Sequence, residues 1–255
     1  MLLAGKKILI SGVANEKSIA WGIAKSLHKQ GAQLIFTYRK EKSHRKLKKL
    51  LSDEGIESIC IVACDVQFDE SIASAFETIK ASVGMIDGII HSVASADLEA
   101  LQGEFVNTSR EQFLNALSIS TYSLISFCQH AKSLMTDGGS IITQTYLGSE
   151  RVIQNDNVMG VAKAALEASV RYLSVDMGKM GIRVNAISPG VIKTSASSAI
   201  SGIDEKLSAT SSRAPLKRNI SQEEVGDVSL FLLSSLSRGI TGETIFVDAG
   251  YHILG

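Results

Sequence analysis

Short aliphatic runs recur through the chain. Each is apolar at consecutive positions, and nearly all are separated by longer amphipathic stretches. Such runs read as strands over Lys7–Gly12, Gln33–Tyr38, Ser58–Val66, Asp87–Ser92, Ser140–Thr145, Ile182–Ile187 and Thr244–Asp248. A strand with apolar side chains at both parities must bury both of its faces, so helices must cover the sheet above and below. The stretch from Ser18 to Gly31 reads as one such helix, ended by glycine. Strict alternation of this kind indicates an α/β chain with a doubly wound parallel sheet of about seven strands.

Composition narrows the partners. The chain has 255 residues, enough for one large core, with a hydrophobic share of 45% and a charged share of 20%. No repeat, low-complexity tract or proline-rich linker divides it, so residues 1–255 read as a single domain. Lys and Arg number 26, as do Asp and Glu, which points to neither a nucleic acid nor a membrane as partner. The basic stretch from Arg39 to Lys49 reads mainly as a solvated helix face. Cys60, Cys64 and Cys128 lack metal-type spacing, which fits reduced thiols in a cytoplasm; Cys60 and Cys64 lie in an apolar run that reads as core. The first residues have no signal-peptide shape, and no apolar run reaches the length of about eighteen that a membrane span needs. The segment at about 191–215 is small, polar and weakly periodic at its start, and reads as a substrate lid.

The carboxyl ends of the strands carry the binding features. Gly12, Ala14, Ser18 and Ile19 lie where the first strand turns into the first helix, whose free N–H groups suit a phosphate. The usual G-x-G-x-x-G is absent, so this turn alone is a weak signal. Asp65 and Val66 close the third strand, placing a carboxylate for an adenine amine beside an apolar wall. Ser92, Val93 and Ala94 close the fourth, where small residues let a ribose approach the backbone. Together these describe a dinucleotide crevice of the Rossmann kind. The second strand ends at Tyr38-Arg39-Lys40 without an acidic residue for a ribose hydroxyl. Arg39 and Lys40 can pair with a 2′-phosphate and Ser43 can add a hydroxyl, so NADPH is favoured, with NADH possible. Ile192 and Thr194, after the sixth strand, complete the expected cofactor contacts.

At Thr145-Tyr146-Leu147-Gly148, Asn157 to Lys163, Val184 to Ser188, and Gly242-Glu243 with Val247-Asp248, the sequence resembles bacterial enoyl-acyl-carrier-protein reductases of the FabI type. These are divergent short-chain dehydrogenase/reductases. The resemblance runs from Gly5 to about Gly250 and includes the lengthened first turn ending in Ser18-Ile19-Ala20. It implies a nicotinamide cofactor, an acyl-carrier-protein thioester substrate and a homotetramer. It also implies that two tyrosines and a lysine line the nicotinamide end of the site. Tyr146 matches the first tyrosine and Lys163 the lysine, but Asp156 stands where the second tyrosine belongs. Ser95 stands where the family usually has an aromatic.

A phenol donates a hydrogen bond at neutral pH and a carboxylate does not, so Tyr146 is the expected donor to a developing oxyanion. Asp156 donates only if protonated, and Lys163, two helical turns away on the same face, would oppose that. Asp156 fits equally well as a cap of the helix that follows it. No metal site is expected. Three functions fit these residues: enoyl-thioester reduction through Tyr146, a related oxidoreductase with another substrate, and nucleotide binding without catalysis.

Overall fold

The computed structural model describes residues 1–194 and 202–254. Seven strands, β1 (Lys7–Ser11), β2 (Gln33–Tyr38), β3 (Ser58–Ala63), β4 (Gly88–His91), β5 (Gly139–Gln144), β6 (Ile182–Pro189) and β7 (Thr244–Val247), form one sheet in the order β3-β2-β1-β4-β5-β6-β7. Every strand pairing is parallel. The helices are α1 (Ile19–Lys29), α2 (Glu41–Asp53), α3 (Asp69–Val83), α4 (Arg110–Leu117), α5 (Ser123–Ala131), α6 (Val158–Gly178), α7 (Ile203–Arg213) and α8 (Gln222–Leu233).

The two faces of the sheet bury two separate cores. Ile8, Ile10, Leu34 and Phe36 face one way and pack with Trp21, Leu27, Leu47 and Val225 from α1, α2 and α8. Leu9, Ile35, Ile89 and Ile141 face the other way and pack with Phe76, Phe127 and Leu166 from α3, α5 and α6. Alternate residues of one strand thus feed opposite layers, which is why the strand sequences are apolar throughout. The outermost strand β3 is less covered than the aliphatic run suggests. Ile59 is exposed and Cys60 only half-buried, because an edge strand has one neighbour, whereas Cys64 is buried. The basic face of α2 is solvated, as expected: Lys42, Arg45, Lys46, Lys48 and Lys49 are exposed while Leu47 and Leu51 are buried.

Winding reverses between β1 and β4, so the connections after these strands leave in opposite directions and open a crevice at their carboxyl ends. Of the segment from 191 to 215, residues 191–194 carry no regular secondary structure, residues 195–201 lie outside the described residues, and Ile203–Arg213 form α7. No described helix is long and apolar enough to cross a membrane.

The helix pair α1/α8 packs at backbone contact. A Cβ on Gly22 would lie 2.3 Å from the Cβ of Gln222 and 2.9 Å from its carbonyl oxygen. Gly22→Ala should therefore lower the melting temperature, although alanine gains about 1 kcal/mol of helix propensity over glycine. Thermal unfolding by circular dichroism measures this, and an unchanged or higher midpoint would refute the tight contact.

Candidate active site

The crevice floor is a row of residues at one level of the sheet. Ser11 lies opposite His91, His91 opposite Thr143, and Gln144 opposite Ile187. One residue further on, Gly12 (φ +97°) approaches Ser92 so closely that a Cβ would lie 1.9 Å from the Ser92 carbonyl oxygen. Only glycine fits there. The Ser18 hydroxyl accepts the backbone N–H groups of Ala14 (3.0 Å) and Asn15 (3.1 Å), shaping the turn before α1. The amides of Ile19 and Ala20 open the helix without an intrahelical acceptor, which suits a phosphate.

The remaining expected cofactor residues ring this crevice. Asp65 is fixed at both ends: its N–H donates to Ser71 Oγ (2.9 Å), and its Oδ1 accepts from Gln67 N–H (3.2 Å). Val66 and Val93 are half-buried, Ala94 exposed. Arg39 and Lys40 are exposed and make no ion pair with the described residues. Ser43 is already engaged, since its hydroxyl donates to the Lys40 carbonyl (2.6 Å) and accepts the Lys40 N–H (3.1 Å), starting α2. Ile192 and Thr194 are half-buried, joined by a Thr194 N–H to Ile192 carbonyl bond of 2.9 Å.

Lys163, on α6, is buried, and its ammonium donates to the Gln144 carbonyl at 2.6 Å. Burial pulls its pKa down to about 8, with Glu167 one turn on opposing the shift. Glu167 in turn accepts from the Thr145 hydroxyl at 2.5 Å. Tyr146 follows β5 and lays its ring over Gly148, where a Cβ would meet the phenol oxygen at 2.3 Å. That oxygen is enclosed; the Asp156 carboxyl lies within its reach, although the two do not form a well-aligned hydrogen bond. Burial, with the Asp156 carboxyl beside it, pushes the phenol further toward its protonated form.

Asp156 lies between two asparagines in the left-handed region, Asn155 (φ 65°) and Asn157 (φ 35°). Backbone of this kind is costly outside glycine and is held by its surroundings. Asn157 Nδ2 donates to the carbonyls of Gln102 (3.3 Å) and Gly103 (3.2 Å). Desolvation raises the Asp156 pKa, while Lys206 of α7, at 3.9 Å, and Tyr146 oppose the rise. Two sequence expectations are corrected here. The cation facing Asp156 is Lys206, because the turn before α6 points the carboxyl toward α7 and Lys163 is committed to Gln144. Asp156 does not cap α6 through its side chain: Asn157 takes the cap position, and Asp156 contributes its carbonyl to the Met159 N–H at 2.8 Å.

Sequence reasoning missed His91, Gln144, Glu167 and Lys206. His91 ends β4, fully buried, with Nδ1 3.0 Å from Thr143 Oγ1 and Nε2 2.8 Å from Ser123 Oγ. The Gln144 side-chain amide is buried without a hydrogen-bond partner among the described residues. Ser95, in the loop after β4, exchanges hydrogen bonds of 3.1 Å with Ser120 in the π-helical turn Ser118–Tyr122, and Thr121 of that turn donates to the Ala162 carbonyl at 2.7 Å. A π turn at such a position is a frequent mark of a functional site.

The protein-family model described as enoyl-(acyl carrier protein) reductase matches residues 12–252. The chain belongs to that family. It is 54% identical over 255 residues to an enoyl-[acyl-carrier-protein] reductase [NADH] FabI of Bacillus cereus, covering 100% of this chain and 99% of the relative. It is 51% identical over 252 residues to an NADPH FabI of Staphylococcus aureus, covering 99% and 98%. A crystal structure of the Bacillus cereus reductase with NADP+ and indole naphthyridinone superposes with a TM-score of 0.98 at 53% identity, covering 100% of this chain and 99% of that one. The crevice described above is thus built on the frame of a nicotinamide-dependent reductase.

Two predictions arise from this geometry. Replacing Arg39 and Lys40 together by alanine should weaken NADPH at least about tenfold and NADH less than about twofold, because only the 2′-phosphate loses its partners. Titration calorimetry with both cofactors checks it, and equal losses would refute the assignment. Burial holds the His91 pKa down at about 3, with the Lys163 charge adding to the shift. An unfolded histidine titrates near about 6.5, so below that pH the unfolded state binds the extra proton. Stability should fall as pH drops from about 6.5 toward 3, by up to about 1.4 kcal/mol per unit from this group, with no contribution above. Urea unfolding across that range should show a shallower slope for His91→Gln.

Proposed function

We propose that this chain reduces the carbon–carbon double bond of trans-2-enoyl-acyl-carrier-protein in fatty acid biosynthesis, with NADPH preferred over NADH, as a cytoplasmic homotetramer. The observation that carries the reading is the Tyr146 hydroxyl, protonated and enclosed, with only a poorly aligned approach to the Asp156 carboxyl. An unpartnered buried donor costs about 1–3 kcal/mol, and a substrate oxygen would relieve that cost.

The residues fit a nicotinamide dinucleotide. Gly12 leaves no room for a side chain where the pyrophosphate must approach, and the first turn of α1 presents open amides. Gly12, Ala14, Ser18 and Ile19 would hold the phosphates. Asp65 and Val66 would hold the adenine; Ser92, Val93 and Ala94 the ribose; Ile192 and Thr194 the nicotinamide end. When bound, the nicotinamide would supply a hydride to the β-carbon of the enoyl thioester, and a proton drawn from solvent at the α-carbon would complete the reduction. Negative charge then develops on the thioester oxygen, and Tyr146 stabilises it by donating its phenol proton in a hydrogen bond. Lys163 spends one of its three N–H donors on the Gln144 carbonyl and keeps the others for the ribose hydroxyls. The described part of the lid, with α7 above Asp156, keeps water from the donor.

The homotetramer rests on exposed apolar surface. Along α6 the side chains of Val161, Tyr172 and Val175 are exposed, as are Leu114 of α4 and Ile125 of α5. Apolar stripes on successive helices suit contact with a second copy of the chain.

Cofactor oxidation in the presence of a trans-2-enoyl thioester tests the proposal, with wild type beside Tyr146→Phe. Turnover is expected in the wild type, and kcat should drop at least about a hundredfold in the variant, while NADPH affinity stays within about twofold. NADPH binding without turnover in the wild type would reject the reductase reading.

A further inference from the structure

We infer that Lys206 is a positioning residue for the reaction: its ammonium neutralises Asp156 beside Tyr146, so that the Asp156–Lys206 pair takes over the place of the family's second tyrosine. The inference rests on the reading of Tyr146 as the oxyanion donor.

The geometry is specific. Lys206 Nζ lies 3.9 Å from Asp156 Oδ1 and donates to the Gln154 carbonyl at 2.9 Å. It therefore reaches from α7 to two residues of the loop before α6. The Lys206 side chain is 27% exposed and that of Asp156 13%, so both charges are largely out of water. The left-handed backbone at Asn155 and Asn157 turns the Asp156 carboxyl inward, and the Asn157 side chain pins the loop to Gln102 and Gly103. The groups that face Asp156 are the Tyr146 phenol from the loop after β5 and the Lys206 ammonium from α7. Lys163, further along α6, points at the Gln144 carbonyl instead.

The electrostatics explain why the pair must be a pair. A bare carboxylate beside Tyr146 would compete for its proton and repel the negative charge that develops on the substrate oxygen. A nearby ammonium offsets both effects. It also favours the ionised form of Asp156, against the desolvation that favours the protonated one. A buried charge left without its partner is strongly unfavourable, whereas removal of both charges is mild. The pair thus makes a sign prediction that no packing role makes.

Four variants test it: Lys206→Met, Lys206→Arg, Asp156→Asn and the Asp156→Asn/Lys206→Met double. For each, kcat and KM are measured with a trans-2-enoyl thioester, and NADPH affinity by calorimetry without substrate. Lys206→Met should lower kcat at least about tenfold with NADPH affinity within about twofold. Lys206→Arg should retain most activity. The double variant should recover most of the kcat that Lys206→Met loses, because the uncompensated carboxylate is gone. Carbon-13 NMR of the Asp156 carboxyl supplies a readout free of turnover, and its titration midpoint should rise in Lys206→Met. An unchanged kcat in Lys206→Met, or additive losses in the double, overturns the positioning role. An unmoved Asp156 midpoint overturns the pair itself, even for a chain that turns over no enoyl thioester. Failure of the underlying reading looks different: the Asp156 midpoint shifts, yet Tyr146→Phe keeps wild-type turnover.

Discussion

The contact between the Gly12 backbone and the Ser92 carbonyl sets the geometry on which the site depends. It brings the ends of β1 and β4 together where the winding of the sheet reverses. Any side chain at Gly12 would collide with the Ser92 carbonyl and push these strand ends apart. From this junction the turn held by Ser18 aims α1 at the crevice. Two strands on, the Gln144 carbonyl at the end of β5 receives the Lys163 ammonium, and so ties α6 to the floor of the same crevice.

Around Lys163 the structure builds a buried polar layer in a largely apolar protein. Thr145 and Glu167 bond across β5 and α6, and His91 bonds to Thr143 and Ser123 one strand away. Each partner satisfies a group that would be costly to bury alone, and each holds a strand end or helix in place. Among the described residues, the buried side-chain polar atoms without a well-formed hydrogen bond are the Tyr146 hydroxyl and the Gln144 amide, at the end of β5 and just after it, and Asn219 Oδ1 before α8. An unsatisfied donor and acceptor at the end of β5 carry a cost that a bound ligand would relieve.

Asp156 shows how a substitution is accommodated in such a site. A carboxylate placed beside a phenol needs a counter-charge, and this comes from α7, fifty positions along the chain from the loop it serves. The left-handed asparagines on either side hold the carboxyl inward against its own desolvation. The frame around it is that of the family, as the TM-score of 0.98 to the Bacillus cereus reductase shows.

The sequence by itself determined the sheet. All seven strands lie where the aliphatic runs place them, because burial on both faces leaves a parallel strand no other composition. It also pointed to Tyr146, Asp156 and Lys163 as candidates, since a short segment around one strand and one helix carries all three. Tertiary structure decided the rest. Whether Asp156 caps a helix or faces a pocket depends on two backbone angles, and its partner Lys206 arrives from a helix whose position no local pattern encodes. The exposure of β3 follows from its place at the sheet edge, which strand composition does not reveal. His91 and Gln144 read as ordinary strand residues until parallel pairing sets them level with the site. Local periodicity reports which face a residue turns to the core, whereas a charge pair or a row across a sheet forms only when distant segments meet.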